Sequence, residues 1–186
     1  MNVFKVCKRG SAMRTGLIGL AALVPALTVF AGPAHAAGTT TAARSSVTRC
    51  HNSQLAVRLG RPEGTAGSVY ARIVFKNTSG SRCTLDGHPG VSFVAGDDGH
   101  QVGLSARRAK SSRPKRISIA PGHRASAVLR ITDEGAYARR DCRPAHARGL
   151  RVYPPDSYYA VYLPDPQSAC SSHAVRQLTI RSVRHN

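Results

Sequence analysis

Cysteines are the most reactive residues of this chain, and four of its five follow residue 49. They are Cys50, Cys83, Cys142 and Cys170. A thiolate can act as a nucleophile or a metal ligand, whereas an even number of cysteines in an exported chain favours disulfide bonds. Because all four can pair, we expect no free thiol for nucleophilic catalysis.

Carboxylate pairs, which could carry general acid–base chemistry, occur at Asp97 and Asp98 and at Asp133 and Glu134. Both pairs stand in turn-like sequence, where solvated turn residues explain them without catalysis. The sequence has no nucleophile elbow, zinc-protease motif, P-loop, dinucleotide-binding glycine motif or Cys-x-x-Cys. We therefore predict no catalytic residues, no cofactor and no enzymatic activity. A hydrolase with an unmarked site is the alternative.

Histidines could bind a metal ion, and seven of them follow residue 36. They are His51, His88, His100, His123, His146, His173 and His185. No two have the i, i+2 or i, i+4 spacing that brings a pair of ligands together on one strand or helix. We predict no metal site, although a site assembled across the fold stays open.

The strongest charge feature is a basic run at residues 107–116, in a chain of formal net charge +18. Its six basic residues, with no acidic residue among them, are Arg107, Arg108, Lys110, Arg113, Lys115 and Arg116. Such a run could bind the phosphates or carboxylates of an anionic envelope polymer or an acidic protein. Nucleic acid is not expected, because no aromatic residue is interleaved for base stacking. The alternative is a solvated, mobile loop in an arginine-rich composition.

Tyrosines concentrate at Tyr153, Tyr158, Tyr159 and Tyr162. Strand alternation would place Tyr158 and Tyr162 on one face and Tyr159 on the other. Exposed tyrosine is good binding surface, whereas half-buried strand packing is the alternative.

An export signal is predicted at residues 1–36. Four basic residues precede an apolar stretch at residues 17–31 that Pro25 interrupts, and Ala34 and Ala36 match a signal-peptidase site, with cleavage after Ala36. Residues 37–48, rich in Thr, Ala and Ser, predict a flexible leader, and residues 49–186 a single domain. No transmembrane segment is expected after cleavage, and the protein is expected to be secreted, either free outside the cell or associated with the cell envelope.

Short stretches of alternating apolar and polar residues, punctuated by Gly and Pro, dominate residues 49–186. Strands are predicted at residues 54–59, 68–76, 91–95, 101–104, 117–120, 125–131, 150–153, 158–163 and 177–183. Residues 96–99 predict a hairpin turn. Residues 136–147 are a candidate for a short helix. This pattern predicts an all-β, antiparallel sandwich.

Several motifs together resemble a known family, the secreted bacterial domain of unknown function 4232. These motifs are Cys50 ahead of an alternating strand, Ala66 and Gly67, Asn77 to Ser79, the run from Cys83 to Val91, Asp98 and Gly99, Ile119 to Gly122, Cys142 to Pro144, Leu150 to Pro155, and Cys170 before the last strand. His88 stands where family members often carry an aromatic residue. The resemblance implies an immunoglobulin-like β-sandwich outside the cell or in its envelope, and it brings no catalytic residues.

Four cysteines allow three disulfide pairings. We favour Cys50 with Cys83 and Cys142 with Cys170, while a Cys50 to Cys170 pairing remains an alternative. The resulting expectation is a monomeric, secreted, non-catalytic binding module whose partner is an anionic envelope polymer or an extracellular protein. A secreted protease inhibitor is an alternative, although no reactive loop flanked by cysteines is evident.

Overall fold

A computed structural model describes residues 47–186; the predicted signal peptide and residues 37–46 of the predicted leader lie outside the described residues. The strands are β1 (Leu55–Leu59), β2 (Glu63–Thr65), β3 (Ser68–Asn77), β4 (Cys83–Asp86), β5 (Gly90–Ala95), β6 (His100–Val102), β7 (Arg107–Arg108), β8 (Arg116–Ile119), β9 (Arg124–Thr132), β10 (Pro144–Tyr153), β11 (Val161–Cys170), β12 (Leu178–Ile180) and β13 (Arg184–His185). The helical elements are one α-helix, α1 (Arg139–Cys142), and 3-10 turns at Asn52–Gln54 and Glu134–Ala136. Within this part of the chain no helix is long and apolar enough to cross a membrane.

The larger sheet has seven strands, with β1, β3, β9, β12 and β7 in that order. Strand β2 also pairs with β3, and β13 with β9. All neighbours are antiparallel except β12 and β7, which run parallel. In β3 the side chains of Ala71, Ile73 and Phe75 are buried, whereas Arg72 between them is exposed. This sheet therefore has one apolar face and one face toward solvent.

The second sheet has four antiparallel strands in the order β11, β10, β5 and β6, and β4 pairs with β8 in a separate ribbon. The β10–β11 register shifts between Ala147 and Gly149. A Cβ atom at Gly149 would lie 2.3 Å from the Leu163 carbonyl oxygen and 2.9 Å from the Tyr162 ring. Gly149 is thus required for the close approach of β11 at this irregularity.

Both sheets contribute to one hydrophobic core, which includes Phe75 and Leu129 from the larger sheet and Phe93 and Leu150 from the smaller one. The molecule is therefore an immunoglobulin-like, antiparallel β-sandwich, which confirms the predicted fold class. Two disulfides join Cys50 to Cys83 and Cys142 to Cys170, the pairs that the sequence favoured.

The predicted helix at residues 136–147 is wrong beyond a single turn. Helix α1 ends at Cys142, Arg143 adopts a left-handed backbone conformation (φ 50°), and Pro144 begins β10 opposite Cys170. A proline cannot donate the next helical hydrogen bond, so the chain leaves the helix there. Strand β10 consequently starts six residues before the predicted strand at 150–153, and the predicted strand at 158–163 instead spans Val161–Cys170.

The chain's last strand is interrupted by one extra residue. Ile180 lies opposite Leu129 and Arg184 opposite Ser126, so the terminal segment takes four steps where β9 takes three. Val183 is fully buried in this interval, whereas Arg181 and Arg184 are exposed. The offset has the form of a β-bulge, which lets both arginines face solvent.

Asn77 has a fully buried amide that holds the exit of β3. Its Nδ2 donates to the carbonyl oxygens of Ser81 (2.8 Å) and Ile119 (3.0 Å), and its Oδ1 accepts from the backbone and hydroxyl of Ser79. We expect Asn77→Ala to lower the free energy of unfolding by about 2 kcal/mol, because it leaves buried backbone groups unpaired. Urea denaturation measures this, with the exposed Thr78→Ala as the control. Equal midpoints for the two variants would contradict the prediction.

Candidate anion-binding face

The solvent side of the seven-stranded sheet carries a continuous set of basic side chains. Strands β3 and β9 bury alternate residues, β1 turns Leu55, Val57 and Leu59 toward the core, and the residues between them point outward. We call these outward basic residues the outer face. They are Arg58, Arg72, Lys76, Arg107, Arg124, Arg130, Arg181 and Arg184. The strands of this sheet contain one acidic residue, Glu63, in the short edge strand β2.

Register places these residues in rows across the sheet. Arg72 lies opposite Val128, and the Arg181 backbone N–H donates to the Val128 carbonyl oxygen at 3.0 Å. In the next row, Ser126 lies between Val74 and Arg184. Because neighbouring strands are about 4.8 Å apart, Arg72 and Arg181 flank Val128 with backbones about 10 Å apart.

A groove of about 440 Å³ follows these two rows. Its lining residues, none of them acidic, are Arg72, Ser111, Ser112, Ser126, Val128, Arg181, Ser182, Arg184 and His185. Two further depressions lie on the same side. One, of about 330 Å³, is lined in part by Arg58, Lys76 and Arg124. The other, of about 240 Å³, is lined in part by Arg61 and Glu63. The three depressions share residues, so the outer face is a continuous surface.

The wall of the groove is tied to the end of the chain. The Ser182 backbone N–H donates to the Ser112 hydroxyl at 2.8 Å, and the Ser182 hydroxyl donates to the Arg113 carbonyl oxygen at 3.0 Å. The Arg184 guanidinium donates to the Arg113 and Val183 carbonyl oxygens at 2.8 and 3.0 Å. The centre of the basic run is therefore hydrogen-bonded to residues 182–184 through Ser112 and Arg113.

The six residues of the basic run do not share one surface. Arg107 and Arg108 form β7 beside Thr179 and Ile180, and β7 places Arg107 in the outer-face row of Thr179 and Arg130. Arg108 lines a different depression of about 310 Å³ with Arg49, His88 and Tyr158.

The other four residues of the run are also separated. Arg116 lies in β8 and forms an ion pair with Asp86 at 3.4 Å. Lys110, Arg113 and Lys115 are exposed in the connection between β7 and β8. The run thus contributes to the edge of the outer face and does not itself form a pocket.

The tyrosines at the β10–β11 connection are exposed rather than packed in a strand. Tyr158 and Tyr159 retain 94% and 76% of their exposure and precede β11, while Tyr162 is 51% exposed. The Tyr162 hydroxyl donates to the Arg148 carbonyl oxygen at 2.9 Å. The interpretation of half-buried strand packing is therefore wrong for Tyr158 and Tyr159.

Three of the four paired carboxylates, those of Asp97, Asp98 and Asp133, have structural partners. The Asp97 carboxylate bonds the Arg148 guanidinium, and Asp98 accepts from His100 at 2.9 Å, which lowers the pKa of Asp98. Asp133 accepts from the Gly135 backbone at the start of a 3-10 turn. Among residues 47–186, no group of three His, Cys, Asp or Glu side chains is arranged to hold a metal ion.

Residues 50–184 match the family described as Domain of unknown function (DUF4232). The chain belongs to the DUF4232 family. The matched range includes β1 to β12 and both disulfides of the domain. A search of curated proteins finds no match for this chain.

Residues distant in sequence form the outer face of this DUF4232 domain, and the sequence interpretation missed it. Arg58 and Arg184 are the first and the last outer-face residues in sequence order, yet both flank the row that contains Val74 and Ser126. The signal that the sequence offered was the alternation within strands. In the predicted strand at residues 68–76, Arg72 and Lys76 point to the other face from the alternating apolar residues. That signal was not combined across strands, because it does not reveal which strands are neighbours.

The domain's His88 lines the same depression as Arg108 of the basic run. Burial lowers its pKa from the usual 6.5, Arg108 and Arg184 lower it further, and an interaction with the Ser112 backbone partly opposes them. Its Nε2 atom is buried and has no hydrogen-bond partner within the part of the chain that the structure describes. His88 is consequently a neutral side chain in a positive environment.

We expect His88→Phe to make stability less dependent on pH. Since the pKa of His88 is lowered on folding, the unfolded chain takes up the proton first, and stability falls as pH falls below about 6.5. Phenylalanine keeps a ring at this position without that proton. Urea midpoints at pH 7.5 and 5.5 test this: the drop between them should be smaller in the variant than in the wild type, and an equal drop would show that His88 does not contribute.

Proposed function

We propose that this protein is a secreted, monomeric, non-catalytic β-sandwich module that binds an anionic polymer of the cell envelope through its outer face. The observation that carries this proposal is the collection of eight basic side chains on one solvent-facing sheet surface whose strands contain a single acidic residue. Strand pairing keeps these side chains on a fixed, open surface that can follow an extended ligand.

Electrostatics favours a polymer over a small ligand. The basic residues occupy successive rows that cover roughly 20 Å along β3 and about 19 Å across the strands from β1 to β7. A polyanion lying over these rows releases several condensed counterions at once, whereas a single small anion releases few. Binding by this mechanism is strong at low salt and weakens steeply as salt rises.

An envelope polymer fits this surface better than nucleic acid does. Single-stranded nucleic acid is bound on aromatic stacking platforms beside basic grooves. Among the paired residues that point outward in β3 and β9, Tyr70 is the one aromatic side chain. The exposed Tyr158 and Tyr159 belong to the connection that precedes β11, beside the four-stranded sheet.

The cysteines support a location outside the cytosol. All four cysteines among residues 47–186 are in disulfides, which are stable in oxidising compartments. The basic and apolar segments of residues 1–36 have the composition of an export signal. Export would bring the outer face to the anionic polymers of the envelope.

Cosedimentation of the purified protein with washed envelopes across a salt series tests the proposal. We expect nearly complete retention at low salt and progressive release as salt rises, and competition by added soluble polyanion. Retention that salt does not change, or no retention at low salt, would remove the proposed function. If the partner is a polymer, added soluble polyanion should release the bound protein, and protease treatment of the envelopes should not. Release by the protease treatment would indicate a protein partner instead.

A further inference from the structure

The groove between Arg72 and Arg181 has features that the rest of the outer face lacks. Three arginines approach it from two sides of β9, and serine hydroxyls lie along its floor and wall. We propose that this groove is a specific binding site for a phosphoryl group of the bound polymer. The inference rests on the proposed function and adds the chemical class of the ligand.

The groove contains hydrogen-bond donors that nothing else occupies. Within residues 47–186, the guanidinium groups of Arg72 and Arg181 make no ion pair and no hydrogen bond. The hydroxyls of Ser111 and Ser126 likewise make no side-chain hydrogen bond there. The five N–H groups of each of the two guanidinium groups therefore remain available to donate to a ligand.

Arg184 differs from these two because its orientation is already fixed. Two backbone carbonyl oxygens, of Arg113 and Val183, accept from its two terminal nitrogens. Each of these nitrogens carries a second N–H, so the group can still donate to a ligand. A guanidinium held in place before binding loses little side-chain entropy when the anion arrives.

The arrangement of donors suits a phosphoryl group better than a carboxylate. Arg72 and Arg181 stand on opposite sides of Val128, and Arg184 and Ser126 lie in the adjoining row. A carboxylate presents two oxygens in one plane, whereas phosphoryl oxygens point out of a tetrahedron. Donors that converge from several directions can all be satisfied only by the tetrahedral anion, and arginine forks match phosphate in particular.

The test compares polymers that carry different anions. Binding of the full-length purified protein is measured by fluorescence anisotropy with labelled polyphosphate, dextran sulfate and polyglutamate at equal charge concentration and ionic strength. We expect the wild type to prefer polyphosphate over polyglutamate by about tenfold, because charge-assisted bonds to phosphate oxygens add to the shared electrostatics. A preference over dextran sulfate is also expected.

Two double variants of equal charge separate the groove from the rest of the face. Arg72→Gln with Arg181→Gln should bring the polyphosphate preference below about twofold. Arg58→Gln with Arg124→Gln, on the same face outside the groove, should weaken binding to all three polymers and keep the preference.

The outcomes distinguish this inference from the function on which it rests. The phosphoryl-binding site is overturned, and polyanion binding stays in place, if binding is salt-sensitive but shows no preference among the polymers. An equal loss of preference in both variants has the same meaning. An equal or greater preference for dextran sulfate would assign the groove to sulfate esters and also overturn the inference. Absence of binding to every polymer removes both proposals.

Discussion

Replacing Arg72, Arg124 and Arg181 together with glutamine should weaken binding to an anionic polymer about a hundredfold at 0.15 M salt. The three residues lie on β3, β9 and the connection between β12 and β13, so the change reaches across the outer face. Each lost contact with an anionic group removes roughly one released counterion, and the slope of log affinity against log salt should fall by about two to three. Anisotropy titrations with polyphosphate at four salt concentrations measure both quantities.

The matched control removes the same charge from elsewhere on the molecule. Arg82, Arg139 and Arg140 are exposed and lie outside the strands of the seven-stranded sheet. Their replacement with glutamine should reduce affinity by less than about threefold, because only the general field of the protein changes. If the two triple variants lost affinity equally, binding would follow net charge, and the outer face would have no special role.

Removal of the Cys142–Cys170 disulfide should lower the free energy of unfolding by about 3 kcal/mol. The two residues are separated by 28 positions, and the bond restricts the unfolded chain over that loop. Both cysteines are buried, and the bond joins the end of α1 to the end of β11. Guanidinium denaturation of the Cys142→Ala, Cys170→Ala double variant measures the loss.

The Cys50–Cys83 pair provides the comparison, because its separation of 33 positions is nearly the same. Its double alanine variant should lose a similar free energy if loop closure dominates both effects. A loss below about 1 kcal/mol for either pair would show that chain restriction does not dominate there. Hydrogen exchange at α1 would report any additional local loosening in the first variant.

Local alternation was sufficient to predict most of the sandwich. Residues 68–76 alternate apolar and polar side chains, and the structure has β3 at Ser68–Asn77 with Ile73 and Phe75 in the core. Strand β9 was equally clear, because Leu129 and Ile131 alternate with polar positions. In both cases a residue's position in the strand decides its burial, and no distant partner is needed to see it.

Features that depend on long-range pairing were not predicted. Strand β7 contains only Arg107 and Arg108, and it exists because β12 offers a parallel edge to it. Strand β4 was not among the predicted strands although it contains Leu85, and its partner β8 begins 30 residues after β4 ends. A two- to four-residue strand has too little periodicity to be recognised without its neighbour.

For the same reason, the sequence drew attention to the contiguous basic run and not to the outer face. The run at residues 107–116 is conspicuous because its charges are contiguous, yet the structure distributes them between Arg107 on the outer face, Arg108 near His88, and Arg116 beside Asp86. The remaining outer-face residues are single arginines and a lysine in separate strands. Their proximity follows from sheet register, which a single sequence does not specify.

The extra residue between β12 and β13 makes the length of the chain's last segment as important as its composition. Side chains alternate along a strand, so the number of residues decides which of them face solvent. If the residues after Ile180 paired with β9 without this offset, Val183 would lie opposite Ser126 on the solvent side and Arg184 would lie opposite Ala125 in the core. The extra residue therefore decides how much basic surface the sheet exposes, although it adds no charge of its own.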